Sequence, residues 1–209
     1  MNIAIIGAGR VGAALGTRWA RAGHQVMYGV RKPDDLRISS LLGDTPKGRA
    51  GSVAEAAAFG DVVVLATPWS ATENAIRAAG SLAGKVVVDV TNPLNETFFG
   101  LTVGHTSSGG EMVAGWAKGA KVIKTLNSTG SNNMLDPKYG KDAVSMFVCG
   151  DDAAAKATVS ELVKALGFDV VDAGPLASAR LLEPLALLWI SLAYAWGQST
   201  DIAFRLLRR

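Results

Sequence analysis

The chain is short of the residues that most simple site chemistries need. It has one cysteine, Cys149, and two histidines, His24 and His105, in 209 residues. A single cysteine excludes a disulfide framework and a cysteine-rich zinc site, and the histidines lack metal-ligand spacing. Charged residues make up only 19% and apolar residues 49%, which excludes a disordered chain. The 24 glycines follow no three-residue period, so a collagen-like chain is excluded as well. The net charge of +3 comes from scattered Lys and Arg, apart from Arg205, Arg208 and Arg209. Nothing in it forms a nucleic-acid-binding stripe, and the terminal arginines read as a solvated helix end. The longest apolar run, Leu185 to Ala195, is shorter than the roughly 20 residues of a bilayer-crossing helix. The start, Met1 to Ile6, lacks the basic and long apolar regions of a signal peptide. The expectation is a cytoplasmic protein without a membrane or nucleic-acid partner.

What is present is a repeated alternation. Short β-branched runs stand at Ile3–Ile6, Gln25–Val30, Asp61–Ala66, Lys85–Val90, Lys121–Leu126, Ser145–Cys149 and Asp169–Asp172. Several are continuously apolar, as a parallel strand covered on both faces must be. Between them, Ser52-x-x-Glu55, Ser70-x-x-Glu73 and Ser108-x-x-Glu111 read as capping boxes that open helices, and Gly23 as a helix stop. Repeated βα units predict a doubly wound α/β fold with a mainly parallel sheet. Ser128–Lys141 reads as a loop or broken helix. Leu176–Arg209 reads as a helical, apolar lobe, with a subunit interface favoured over burial against the sheet. The predicted division is 1–150 for a dinucleotide-binding domain of Rossmann type and 151–209 for a small C-terminal extension.

Gly7-Ala8-Gly9-Arg10-Val11-Gly12 follows the first strand and opens the first helix. In that context G-x-G-x-x-G is a dinucleotide fingerprint: a tight turn, a close backbone approach to pyrophosphate, and close helix–strand packing. The second strand ends Gly29-Val30-Arg31-Lys32, without the acid that usually accepts from the ribose 2′-OH of NAD. Arg31 and Lys32 instead suit the 2′-phosphate of NADP, unless they are ordinary surface residues. Asp34 and Asp35 are expected to face solvent.

Ligands in such sheets lie beyond the carboxyl ends of the strands. There stand Ala66-Thr67-Pro68-Trp69, Thr91-Asn92-Pro93 and Lys124-Thr125-Leu126-Asn127. Trp69 either flanks a bound ring or packs at the sheet edge. Asn92 offers its amide to a carboxamide or ribose. Asn127 meets a ring edge or caps the next turn. Lys121 and Lys124 read as solvated strand ends, His24 as structural, His105 as a weak substrate-side candidate, and Cys149 as an inert core thiol. No nucleophilic triad, paired carboxylates or metal cluster is visible. Reduction of a carbonyl or imine calls for a placed proton donor, whereas transfer between two stacked rings needs chiefly their approach.

The chain resembles the NADP oxidoreductases that use the deazaflavin coenzyme F420. The resemblance rests on Gly7–Gly12, Gly29-Val30-Arg31, Ala66-Thr67-Pro68, Asp89–Pro93, Val122–Asn127, Val148–Asp152 and Asp172–Leu176 with Arg180 and Glu183. The reductase domain of the six-transmembrane metalloreductases is similar too. The resemblance implies NADP as cofactor, with Arg31 on the 2′-phosphate and Thr67-Pro68 along the nicotinamide half. It implies F420 or a flavin as second ring, lined by the loops after Asn92, around Asn127 and at Gly174-Pro175. It also implies a homodimer through the C-terminal helices. The competing functions are an imine or 3-hydroxyacid reductase and a non-catalytic NADP-binding redox sensor.

Overall fold

A computed structural model describes all residues from Met1 to Arg209. In chain order the elements are β1 (Asn2–Ile6), α1 (Arg10–Arg21), β2 (Gln25–Gly29), α2 (Leu36–Asp44), β3 (Arg49–Gly51), α3 (Val53–Phe59), β4 (Val62–Leu65), α4 (Trp69–Ala79), β5 (Val86–Asp89) and α5 (Gly109–Trp116). There follow β6 (Lys121–Lys124), α6 (Ser131–Leu135), the small hairpin β7 (Lys138–Tyr139) and β8 (Asp142–Ala143), β9 (Ser145–Gly150), α7 (Ala153–Ala165), β10 (Asp169–Asp172) and α8 (Ala179–Ile190). A 3-10 turn (Leu176–Ser178) leads into α8, and a π-helical turn (Ser191–Ala195) extends it.

Eight strands form one sheet in the order β10-β9-β6-β5-β4-β1-β2-β3. All neighbours are parallel except β6 and β9, which run antiparallel. The sheet therefore continues through Asp172, and residue 150 is the last of β9. Successive side chains of a strand point to opposite faces. Ile3, Ile5, Val62, Val64, Val88 and Ile123 enter a core with Leu15, Trp19, Val159 and Leu162. Ala4, Ile6, Val63, Leu65, Val87 and Val122 enter a second core with Ala56, Ile76, Leu82 and Val113. Both faces are covered, which is why these strands are continuously apolar.

Of the helix-end signals expected from the sequence, all but one hold. Ser52 and Glu55 form a reciprocal capping box, and Ser108 accepts from the Glu111 N–H. Gly23 takes φ of 92° just past α1, where a left-handed residue ends the helix. Ser70 opens nothing: α4 starts a residue earlier, behind Pro68, whose ring pre-sets a helix-compatible φ, and Glu73 pairs with Arg77 instead.

The C-terminal segment departs from the expected continuous helix. The helical stretch from Leu176 to Ala195 has 20 residues and a mean hydropathy of 1.5, long and apolar enough to cross a membrane by length and composition. In this fold its inward residues Ala179, Leu182, Glu183, Ala186 and Trp189 are buried against the domain. From Trp196 on the chain is irregular. Gly197 and Ser199 take positive φ, and polar residues 197–201 cannot prolong an apolar face. The tail is held by scattered hydrogen bonds instead: Ile202 O accepts from Trp189 Nε1 and Asn133 Nδ2, and Phe204 O accepts from the Ser145 N–H. Arg205 pairs with Asp142 and so belongs to this strap rather than to a helix end.

Packing of α1 on β2 yields a test. A Cβ at Gly16 would lie 2.6 Å from Tyr28 Cζ. Alanine improves helix propensity by about 1 kcal/mol, but overpacking costs about 1–3 kcal/mol. Gly16→Ala is expected to lower the urea midpoint; an increase would contradict the packing.

Candidate functional site

The glycine turn sits at the carboxyl end of β1 and is shaped for an anion. Gly7 has φ of +104°, and a Cβ there would lie 2.5 Å from the Ala66 carbonyl oxygen and 3.4 Å from Thr67 Cγ2. The turn thus presses on the strand end that carries Ala66-Thr67-Pro68. A Cβ at Gly12 would overlap the Gly7 carbonyl, while one at Gly9 would meet nothing within 4 Å. Gly12 is therefore demanded by the fold, and Gly9 leaves open space above the helix start. The first turn of α1 has no acidic residue and no side-chain cap, so its backbone N–H groups remain free for an anion. These features fit the pyrophosphate of a dinucleotide.

Arg31 and Lys32 are exposed just beyond β2, beside Gly51, whose carbonyl accepts from Val30 N–H at 2.9 Å. Asp35 is not available to a ribose: it caps α2 through the Arg37 N–H and pairs with the Arg37 guanidinium, which holds its carboxyl below the usual range. The turn at Pro68 is exposed, and Trp69 is half-buried with its ring 5.3 Å from that of Trp116. It packs on α5, and a Cβ at Gly109 would touch it, Pro93 and Glu183 together.

Asn92 and Asn127 meet across the ends of β5 and β6. Asn92 Nδ2 donates to the Asn127 carbonyl at 2.8 Å, and Asn127 Nδ2 donates to Asn92 Oδ1 and to the Leu182 carbonyl, both at 3.0 Å. Asn127 caps no helix; it ties the strand end to α8. The turn is reached through Leu126, buried with φ of 59°, a left-handed geometry that costs a branched residue about 1–2 kcal/mol.

Lys124 reverses its expected role. Its side chain is fully buried, 2.8 Å from Asp89 Oδ2 and 2.9 Å from Glu183 Oε1. Burial pulls the ammonium pKa down, but the two carboxylates outweigh it and leave it above the usual value. Removing one partner of such a buried set costs about 3–5 kcal/mol, because a charge is left uncompensated. Nothing in the local pattern announces this set, since its members come from three distant stretches. Nearby Cys149 is buried, and burial pushes its thiol up to about 12, so it is an inert core residue. Arg180 clamps Glu111 with two hydrogen bonds, and that guanidinium holds the Glu111 carboxyl below the usual range. His105 is exposed on the loop before α5, and His24 lies at the opposite end of β2.

Beside the glycine turn lies a cavity of about 520 Å³, lined by Arg10, Leu94, Thr97, Phe98, Phe99, Ile190 and Tyr194. It is mostly apolar and rich in aromatic rings. Arg10 joins it to the phosphate turn, and Leu94 to the Asn92-Pro93 loop. The Gly174-Pro175 loop is not among its walls.

Known proteins of similar sequence or fold bear on this geometry. The profile of the family described as NADP oxidoreductase, coenzyme F420-dependent, matches residues 2–93. The chain is 32% identical over 206 residues to metalloreductase STEAP3 of Rattus norvegicus, covering 98% of this chain and 40% of the rat protein; it thus spans about two fifths of that relative. A proposed F420-dependent NADP reductase of Arthrobacter sp. FB24 has a TM-score of 0.90 and 38% identity, with both chains fully covered. An imine reductase from Aspergillus terreus shares the fold, with a TM-score of 0.68 at 20% identity over 94% of this chain and 63% of the other.

The two inner glycines separate fold from binding. Gly9→Ala is expected to leave the urea midpoint within about 0.5 kcal/mol of the parent yet to weaken NADPH binding about tenfold or more, measured by calorimetry. Gly12→Ala is expected to lose stability itself. Tight NADPH binding by Gly9→Ala would contradict the assigned phosphate turn.

Proposed function

The chain belongs to the family of coenzyme F420-dependent NADP oxidoreductases, an NADP-dependent oxidoreductase of Rossmann fold, and from that premise we propose that it moves hydride between NADPH and a deazaflavin or flavin ring. The observation that carries the reading is the aromatic cavity joined to the glycine turn through Arg10. An apolar slot with Phe98, Phe99 and Tyr194 suits a planar heterocycle, which aromatic faces hold by offset stacking.

In this reading Gly7, Ala8, Gly9, Arg10, Val11 and Gly12 cradle the pyrophosphate on the start of α1. Gly29, Arg31 and Lys32 hold the 2′-phosphate end, Arg31 by its planar fork and Lys32 as a point charge. Ala66, Thr67, Pro68 and Trp69 border the nicotinamide half from one side, and Asn92, Pro93 and Asn127 from the other. NADPH, when bound, supplies the hydride. The protein then has two tasks: to hold two flat rings at contact distance and to keep water from between them. The second ring gains the hydride, draws any further proton it needs from solvent, and NADP⁺ remains. No side chain is assigned as acid or base. The reading includes a homodimer through the exposed Leu181, Leu188, Tyr194 and Trp196 side of the C-terminal segment, and a cytoplasmic setting.

The test is an anaerobic acceptor screen with oxidised F420, FMN, FAD and riboflavin, followed at the nicotinamide absorbance. Oxidation of NADPH by at least one ring is expected; none by any of the four would overturn the reading. For the cofactor, Arg31→Ala is expected to weaken NADPH by on the order of 1.5–3 kcal/mol, the range for a hydrogen bond to a charged group, and to leave NADH affinity nearly unchanged. Equal weakening of both would remove Arg31 from the phosphate site.

A further inference from the structure

One set of buried ionisable groups has no part in the reading above. Lys124 Nζ has three protons and three acceptors: Asp89 Oδ2 at 2.8 Å, the Thr91 carbonyl at 2.6 Å and Glu183 Oε1 at 2.9 Å. Asp89 Oδ1 accepts from Thr91 N–H and Oγ1–H. The two Glu183 oxygens accept from Gly109 N–H and Gly110 N–H, both at 2.9 Å, at the start of α5, where the helix dipole favours the surplus negative charge. One ammonium thus joins the ends of β5 and β6 to α5 and α8. The Asn92–Asn127–Leu182 hydrogen bonds close a second loop through the same segments.

Stability alone does not call for this arrangement. Apolar side chains of similar volume commonly hold such a helix as well or better, and α8 already buries Ala179, Leu182, Ala186 and Trp189. Apolar packing leaves a helix room to slide or rotate, whereas charged hydrogen bonds are directional and fix its register. The segments fixed here lead into part of the cavity wall. Leu94 stands three residues beyond Thr91, and Ile190 and Tyr194 follow Glu183 on the same helical segment.

We propose that Lys124, Asp89 and Glu183 are positioning residues that set the width of the acceptor cavity against the cofactor ledge. The proposal rests on the reading of that cavity as the seat of the second ring. Hydride transfer between rings is sharply sensitive to their approach, so a displaced wall affects turnover far more than it affects dinucleotide binding.

The variant is Glu183→Gln, whose amide keeps the volume but points a donor at groups that are themselves donors. Three readouts are taken: NADPH affinity by calorimetry, kcat and KM with FMN, and amide hydrogen exchange of the NADPH complex. Expected are an NADPH Kd within about twofold of the parent and a fall in kcat/KM for FMN of about tenfold or more. Exchange is expected to quicken in residues 91–94 and 183–195, with β1 and α1 unchanged. Glu183→Asp, which keeps the charge, is expected to recover part of the loss. Unchanged kcat/KM and exchange in a folded Glu183→Gln would overturn the proposal. So would exchange rising throughout the chain together with a weakened NADPH Kd, the mark of a merely structural set. If Glu183→Gln fails to fold, Thr91→Val, which removes the hydroxyl hydrogen bond to Asp89 without removing a charge, is read by the same criteria. If the parent protein does not turn over FMN, whichever of F420, FAD and riboflavin it reduces serves as acceptor. Failure with all four overturns the acceptor reading, and the exchange pattern then decides whether the three residues fix these segments.

Discussion

An ammonium group with no access to water must find an acceptor for each of its protons, and the site is organised around that demand. Lys124 meets it with Asp89, Thr91 and Glu183, and in doing so draws four segments into one place. Two are strand ends at the carboxyl edge of the sheet, where ligands of such folds bind. One is a helix start, and one is the apolar C-terminal helix. Without the lysine two buried carboxylates would face each other uncompensated, and without Glu183 the α5 N–H groups of Gly109 and Gly110 would lose their acceptor. The edge of the cleft is therefore held by hydrogen-bond bookkeeping as much as by apolar contact.

The other edge works by the opposite means. At the glycine turn the chain offers backbone alone: Gly7 presses on the Ala66 carbonyl, Gly12 on Gly7, and Gly9 faces open space. The N–H groups that the protein leaves unpaired there suit a phosphate, while the aromatic cavity beyond Arg10 offers almost no polar group. A polar cradle beside an apolar slot suits a reaction in which the cofactor brings the chemistry and the protein brings placement.

Much of this was legible in the residues, and the parts that were not share a cause. The seven main strands and the fingerprint are local patterns: runs such as Val62-Val63-Val64-Leu65 need no distant information to be read as buried parallel strands. β3 escaped because three residues, Arg49–Gly51, carry no hydrophobic pattern. Lys124 has the local pattern of a solvated end because its partners lie 35 residues before it and in the C-terminal helix, so only the folded sheet brings them together. Asn127 misled for the same reason, its acceptor at Leu182 being 55 residues away. The helix expected to run to Arg209 stops where Gly197-Gln198-Ser199 removes the apolar face, and the tail then depends on side chains of α6 and α8 that no local pattern links to it. The Leu94–Tyr194 cavity belongs to the same class, since its walls come from three remote stretches.

The most direct measurement follows the hydride itself. NADPH carrying deuterium at nicotinamide C4, on either face, is mixed with the protein and oxidised F420, whose reduced ring carbon does not exchange with water. Direct ring-to-ring transfer requires the deuterium from one of the two labelled faces to appear in the reduced deazaflavin, at the rate of nicotinamide oxidation. Deuterium lost to solvent from both faces, or nicotinamide left unoxidised by F420 and by every flavin of the acceptor screen, would contradict the account.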